Sequence, residues 1–129
     1  MALKRFVIEM GMGLDQHGQE PTVAAARAVR NASAHNALPG IWEVAGLSHP
    51  NEMIVEVQVG VPYPERVRAE EVLAVLPFGQ KTLKVEAGGM VVQGRAIAEL
   101  HDQNDEMLMA VAAVTVYVDL PDGIAPKSE

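Results

Sequence analysis

The chain is 129 residues long, and 49% of its residues are hydrophobic while only 4% are aromatic, which predicts one domain with an aliphatic core. A net charge of −7 with ten scattered basic residues excludes the basic surface typical of nucleic-acid-binding proteins. The chain has no cysteine, which excludes disulfides and thiolate chemistry and is compatible with a reducing cytoplasm.

The first residues, Met1 to Arg5, lead into an alternating strand rather than into the apolar run of a signal peptide. No segment approaches the roughly 18 consecutive apolar residues of a membrane helix. We therefore expect a cytoplasmic protein that has neither a membrane nor a nucleic acid as partner.

The stretch Phe6–Gly18 combines a strand pattern with two closely spaced glycines and several reactive side chains. If the strand runs to Asp15, period-two alternation places five apolar side chains on one face, namely Phe6, Ile8, Met10, Met12 and Leu14. On the opposite face, Gly11 and Gly13 form a floor without side chains between Glu9 and Asp15, which we call the glycine floor. A ligand or another backbone can approach such a floor closely, and we expect a ligand.

A helix is predicted over 21–36, because Pro21 suits the first helical position and the segment is rich in alanine. Its apolar stripe consists of small residues at helical spacing, namely Ala25, Ala28, Val29 and Ala32. Pro39 and Gly40 are expected to end the helix region. Small residues allow close packing, so we expect this stripe to cover the Phe6/Ile8/Met10 face of the strand.

The remaining elements are predicted from alternation, helical periodicity and turn residues. In chain order they are a short strand over 41–46, a strand over 53–61, a helix over 65–76, a strand over 81–92, and a hairpin of strands over 95–101 and 107–120.

The order β-α-β-β-α-β-β-β predicts an α+β domain over 1–120, with two helices on one face of a mostly antiparallel sheet. Residues 121–129 are expected to form a loosely ordered tail. The other sheet face mixes charged and apolar side chains, which suits neither water nor a dry core. We expect copies of the chain to bury this face in a homo-oligomer, a trimer first and a dimer second.

The segment Gly11-Met-Gly13-Leu-Asp15-Gln-His17-Gly18 resembles the Gly-x-Gly-x-Asp-x-His-Gly signature of a small family of hypothetical proteins from bacteria and plants. The resemblance extends over most of the chain and implies that the glycines, the aspartate and the histidine of this segment belong to a shared site. In element order, the chain is also similar to the trimeric chorismate-mutase-like and imine-deaminase-like proteins, and to one repeat of the ring-opening amidohydrolases.

His17 is the main candidate for chemistry, because an imidazole exchanges protons near neutral pH. Asp15 is expected to orient it or to serve as a second carboxylate, with Glu9 assisting. Alternatively, Asp15 and His17 only cap the following helix by binding its free amides. A metal held by these residues with His101 is the less favoured alternative, since no established ligand spacing occurs.

Glu86 precedes Gly88 and Gly89, where a bulge or a close approach is expected. Glu86 is a candidate for a second catalytic carboxylate, although a polar residue on an exposed strand face explains it as well. The two glycines, like Gly18, are candidates for ligand contacts. A dinucleotide site is not predicted, because Asp15 and His17 stand where a third glycine and a helix start would follow.

Two functions remain open from the sequence. The favoured one is a small cytoplasmic enzyme that uses His17 and Asp15 for acid–base chemistry on a small polar metabolite, by hydrolysis or isomerisation of a C–N or carbonyl compound. The other is a non-catalytic, oligomeric small-molecule-binding protein. Neither needs a cofactor.

Overall fold

A five-stranded sheet with helices on one side forms the protein in the computed structural model, which describes residues 2–120. The tail predicted over 121–129 lies outside the described residues. The helices and strands in chain order are β1 (Ala2–Asp15), α1 (Pro21–Ser33), α2 (Gly40–Glu43), β2 (Ile54–Val61), α3 (Ala69–Leu73), β3 (Gln80–Ala87), β4 (Met90–Gln93) and β5 (Glu106–Leu120). Single 3₁₀ turns occur at Pro50–Glu52, Pro64–Arg66 and Ala98–Leu100.

The long strand β5 is the centre of the sheet. One edge of β5 pairs with β1, and its other edge pairs with β2 and, nearer the start of β5, with β4. All three pairings are antiparallel. The strand β3 pairs with β2 in parallel, which α3 makes possible as the crossover between them. These pairings confirm the α+β class with a mostly antiparallel sheet.

The core lies between the sheet and α1 and is aliphatic, as the composition predicts. Alternating valines of β2 and alternating residues of β5 point into it and are nearly or fully buried. The α1 stripe packs on them, and the core members it contributes are Ala24, Ala25, Ala28, Val29 and Ala32.

The expectation that α1 covers the Phe6/Ile8/Met10 face is wrong, because α1 lies on the glycine floor. An added Cβ at Gly11 would sit 2.4 Å from the Ala32 backbone nitrogen, and one at Gly13 would sit 2.2 Å from that of Ala28. A thin alanine stripe can bury its backbone only against a surface that has no side chains of its own, and the two glycines provide that surface.

A β-bulge also changes the faces of β1. The pairing with β5 shifts between Arg5 and Val7, so one extra residue enters the strand. The ring of Phe6 therefore lies against Gly40 on the helix side, while the next alternating apolar residues face away from the helices. Those residues are exposed: Ile8, Met10, Met12 and Leu14.

Three other predicted elements differ from the observed ones. The strand predicted over 41–46 is the short helix α2, which starts directly after Pro39, whose backbone is already helical. The helix predicted over 65–76 is reduced to a 3₁₀ turn and the five residues of α3. No strand forms over 95–101, because the N–H of Ile97 donates to the Asp102 carboxylate instead of to a neighbouring strand.

The strand predicted over 81–92 is divided into β3 and β4 at Gly88 and Gly89. Gly89 has a φ of +67°, and a Cβ there would collide with the carbonyl oxygen of Met109. Gly88 lies directly against Gly60, and at this point the chain ends its pairing with β2 as β3 and begins to pair with β5 as β4. The expected close approach is therefore one of backbone to backbone.

The outer edge of β1 is partly covered by side chains of α1. The Met12 N–H donates to Asn31 Oδ1 at 3.0 Å, and Arg27 Nη1 donates to the Leu14 carbonyl oxygen at 2.7 Å. Such side chains keep an edge strand from pairing with other chains. Within residues 2–120, the longest helix is too short and too polar to span a bilayer.

Candidate functional site

Asp15, the last residue of β1, holds the start of α1. Its carboxylate is buried and accepts a hydrogen bond from the Glu20 N–H at 2.9 Å. The Glu20 side chain provides no cap, so Asp15 satisfies an amide that the helix leaves free. Arg27 of α1 lies 3.6 Å from its second carboxylate oxygen. For Asp15, this geometry matches the capping alternative.

The turn between β1 and α1 has two left-handed residues. Gly18 has a φ of +100°, which glycine tolerates, and Gln19 has a φ of +51°, which costs a non-glycine residue about 1–2 kcal/mol. The Gln19 amide offsets this cost with three hydrogen bonds, from its nitrogen to Asp102 Oδ1 and the Glu106 carbonyl oxygen and from the Gln103 N–H to its oxygen. The turn is therefore held in one conformation by a loop that lies more than eighty residues away in the sequence.

Asp102 is the centre of this arrangement. Its side chain is only 1% exposed, and it accepts hydrogen bonds from the N–H of Ile97 at 2.8 Å, the N–H of Gly18 at 2.8 Å and the Gln19 amide at 2.9 Å. Burial by itself acts to raise the pKa of Asp102, but these donors and His17 outweigh it and hold that pKa well below its usual range. Asp102 is therefore an ionised carboxylate inside the protein.

His17 binds this carboxylate through one ring nitrogen. The distance from Nδ1 to Asp102 Oδ2 is 2.7 Å, and an ionised carboxylate only accepts, so Nδ1 carries the proton. In the neutral ring with this tautomer the other nitrogen, Nε2, has its lone pair free, and within residues 2–120 no group bonds to Nε2. The His17 side chain is 33% exposed and lines an open hollow of about 310 Å³, together with Leu14, Asp15, Gln16 and Arg27.

A second, half-buried pair, Tyr63 and Glu106, lies close to the turn. The Tyr63 hydroxyl donates to the Glu106 carboxylate, with both oxygens within 2.9 Å, and this bond raises the pKa of Tyr63. Tyr63 is also left-handed, with a φ of +56°, and its ring lies 5.5 Å from the guanidinium of Arg66. Arg66 in turn donates to the Gln19 carbonyl oxygen at 3.2 Å. Non-glycine residues with positive φ thus concentrate around the His17 turn, as strained residues often do at functional sites.

The hollow brings together Asp15 and His17, with Gly18 beside them, but not the other candidates. Glu9 lies six residues from Asp15 on β1, about 20 Å away at strand spacing, and accepts a hydrogen bond from Asn36. Glu86 lies on the opposite sheet face, where Gln58 donates to it.

The glycine candidates are also apart from His17. Gly11 and Gly13 are covered by α1, and Gly88 and Gly89 form the β3–β4 crossing. On the side of α1 the glycine floor therefore has no room for a ligand, while Gly11 also lines, with Glu86 and Gly88, a separate open hollow of about 780 Å³. Among residues 2–120, no three histidine, aspartate or glutamate side chains come together in a metal-binding arrangement, so the alternative metal ligand set is not assembled.

The predicted partner of His17 was Asp15, and the observed one is Asp102. In the sequence, Asp102 falls in the connection of the hairpin predicted over 95–101 and 107–120, where Asp102, Gln103, Asn104 and Asp105 all favour a turn. Gln19 carries no sequence signal for a role at the site. The contact between His17 and Asp102 spans 85 positions, and no local pattern signals a pairing at that distance.

The fold and this site define an α+β protein with a buried aspartate that orients a half-exposed histidine at the end of an edge strand. The chain belongs to the family described as Conserved hypothetical protein (Lin0512_fam), which matches residues 5–116. This membership confirms the coarser expectation, a family of hypothetical proteins.

A crystal structure of similar fold belongs to a protein described as an FtsZ-like protein of unknown function, from Nostoc punctiforme PCC 73102. It is 80% identical in sequence and superposes with a TM-score of 0.84, over 92% of this chain and 98% of that one. No match was found among curated proteins.

Proposed function

We propose that this protein binds a small polar molecule in the hollow beside His17, with Nε2 of the imidazole as a direct contact. The observation that carries the proposal is the bond between His17 Nδ1 and the buried Asp102 carboxylate at 2.7 Å. Burying a charge is costly unless it is fully bonded, and four donors from two segments, the 17–19 turn and Ile97, are arranged around this one. The result of that arrangement is an imidazole with a set tautomer and a free nitrogen at the surface.

The chemistry of the hollow limits the ligand. The neutral His17 ring accepts a hydrogen bond at Nε2, so a ligand bound to that form needs an N–H or O–H donor there. Arg27, whose side chain is 59% exposed, offers donors to a carbonyl or carboxylate oxygen, and Leu14 gives an apolar wall. At about 310 Å³ the hollow lies at the small end of ligand sites, which favours a compact metabolite with an amide, imine or acid group.

Proton-transfer catalysis on such a molecule is the second candidate. A specific observation favours it, since an aspartate bound to Nδ1 with Nε2 free is the arrangement in which histidine acts as a general base. The reaction expected from the sequence, hydrolysis or isomerisation of a C–N or carbonyl compound, would then use His17 with Asp102 as its orienting group. Neither the family description nor the matched crystal structure carries a reaction, so binding comes first. The cytoplasmic location stays a prediction.

His17→Asn tests both candidates with little disturbance of the fold. The asparagine amide can still donate to Asp102 from near the Nδ1 position, but the group at Nε2 is lost. In a thermal-shift and NMR screen of small cyclic amides, imines and acids, we expect ligands of the wild type to bind His17→Asn at least about 10-fold more weakly, the loss of one good hydrogen bond.

His101→Asn is the matched control, because His101 is exposed and adjacent to Asp102, and its φ of +63° suits asparagine. This variant should bind like the wild type. Product formation that His17→Asn abolishes would establish catalysis. Equal affinity of His17→Asn and the wild type for every ligand would remove the hollow as the site, and a large fall in its melting temperature would assign His17 a structural role.

A further inference from the structure

The sheet face away from the helices carries a continuous apolar patch, which we call the open-face patch. Its side chains come from β1, β4 and the adjoining part of β5, and register places Met10 beside Ala113 and both Leu14 and Met90 beside Met109. Seven of its side chains expose between 36% and 77% of their surface: Ile8, Met10, Met12, Leu14, Met90, Val92 and Val111.

The patch is rich in methionine. Five of the seven methionines of the chain lie on it, namely Met10, Met12, Met90, Met107 and Met109. Unbranched methionine side chains adapt to an opposing surface and are common where proteins bind one another. The exposed apolar surface is on the order of 600 Å², the upper limit for the largest patch of an ordinary monomer. Water alone is an unfavourable neighbour for such a surface.

We propose that the open-face patch packs against the same patch of a second copy, as a two-fold symmetric dimer. Two such patches bury about 1,200 Å² in total, which reaches the size of a specific, stable interface. The patch is not flat, since a hollow of about 780 Å³ lies between Met10, Met12 and Val111 on one side and Gln58 and Glu86 on the other. Methionine side chains of a second copy fit a hollow of this kind.

The charges around the patch suit pairing with itself. The rest of the same sheet face carries Arg5 and Lys84 as well as Glu56, Glu86 and Asp119, so both signs are present. In a two-fold dimer the rim of one copy faces the same rim on the second copy. Because this rim carries both signs of charge, opposite charges can meet across the interface. A rim of one sign would repel its own copy.

Pairing through the strand edge is less favourable than pairing through the face. Asn31 and Arg27 of α1 already bind the outward backbone groups of Met12 and Leu14 on the β1 edge. The open face has no such cover. We therefore place the second copy on the face, and we prefer a dimer to a trimer because one patch that binds itself closes with two copies.

The dimer has a consequence for the His17 hollow, and this step alone depends on the proposed function. Leu14 lines that hollow and also a small apolar recess with Met107 and Met109 at the end of the patch. A second copy seated on the patch lies beside Leu14 and adds a wall to the hollow. Ligands are then held more firmly in the dimer than in separated chains.

Light scattering and sedimentation from about 1 to 100 µM test the interface. We expect twice the chain mass of 13.8 kDa for the wild type. Met10→Lys should raise the dimer dissociation constant by about 100-fold or more, because a two-fold interface brings in an unpaired charge from each copy. Met90→Lys, on the other side of the patch, should do the same. Both positions are exposed in a single chain, so circular dichroism should show the folded state unchanged.

Val44→Lys is the matched control, since Val44 is 80% exposed and Met10 77%, and Val44 lies just after α2, away from the open face. It should leave the dimer intact. A monomeric wild type, a trimeric wild type, Met10→Lys that stays dimeric, or Val44→Lys that dissociates would each overturn the proposal. Mass needs no ligand, so these results stand whether or not the His17 hollow binds one. Failure of the ligand screen with a correct dimer would count against the proposed function alone.

Discussion

Replacing Gly13 by alanine should destabilise the protein by about 3–5 kcal/mol, because α1 lies directly on this residue. The new Cβ would sit 2.2 Å from the Ala28 nitrogen and 2.5 Å from the Ala24 carbonyl oxygen, both backbone atoms. Ordinary contact begins at 3.4 Å, so the helix must move outward by about 1.2 Å, the difference between 3.4 and 2.2 Å.

The size of this destabilisation follows from the packing of α1 on the sheet, which the outward movement weakens. The α1 stripe buries four alanine methyl groups and one valine, worth about 5 kcal/mol at ordinary burial values. A gap near 1 Å removes up to about half of the attraction across it, which is about 2 kcal/mol, and the remaining overpacking adds about 1–3 kcal/mol. Denaturant unfolding at a constant m-value measures the loss, and the melting temperature should fall by about 10–20 °C.

Two controls separate this effect from the general cost of replacing glycine. Gly46→Ala places a Cβ where no heavy atom lies within 4 Å, so only the left-handed φ of +74° costs it about 1–2 kcal/mol. Adding Ala28→Gly to Gly13→Ala should not restore stability, because the clash is with backbone atoms. If Gly13→Ala unfolds within about 1 kcal/mol of the wild type but no longer binds a ligand, the glycine floor is a ligand site after all and the packing argument fails.

Two further changes address the carboxylates of the site. Asp102→Asn should reduce the dependence of the free energy of unfolding on acid pH. Because the pKa of Asp102 is lowered in the folded protein, the unfolded chain takes up the proton first as the pH falls through about 4. The stability that this carboxylate contributes is therefore complete above that pH and is lost below it. Urea unfolding at several pH values measures this, and equal slopes below pH 4 for variant and wild type would contradict it. Asp15→Ala should lower the free energy of unfolding by about 1–2 kcal/mol, because the Glu20 N–H loses its acceptor. Asp15→Asn keeps an acceptor and should lower it by less. An Asp15→Ala protein of wild-type stability in the same assay would show that water replaces the cap.

Features that depend on neighbouring residues could be predicted from the sequence. The valines of β2 alternate with polar residues, and their strand forms where the pattern predicts it. The helix that starts at Pro21 and the division of a strand near Gly88 also follow from local preference. The same local signals make the turn after Asp15 the candidate site, because glycine, aspartate and histidine there are unusual for a simple connection. Mostly antiparallel pairing in an α+β sheet follows from the order of these elements.

Only the tertiary structure decided which face of β1 meets the helix. Alternation distinguishes an apolar face from a face with glycines, but not which of them suits a helix of alanines. The choice depends on how closely two backbones can approach, and the bulge at Phe6 moves that ring to the helix side independently of the rest.

The partner of His17 was likewise beyond the sequence. Asp15 is only two residues from His17, but its carboxylate binds the free Glu20 amide at the start of α1. Asp102, eighty-five residues from His17, binds the imidazole instead. The loop before β5 lies beside the turn because β5 pairs along the length of β1, down to Asp15 with Leu108. Local preferences specify each segment, whereas contacts between distant segments depend on which pairing buries the most surface and leaves the fewest polar groups without partners.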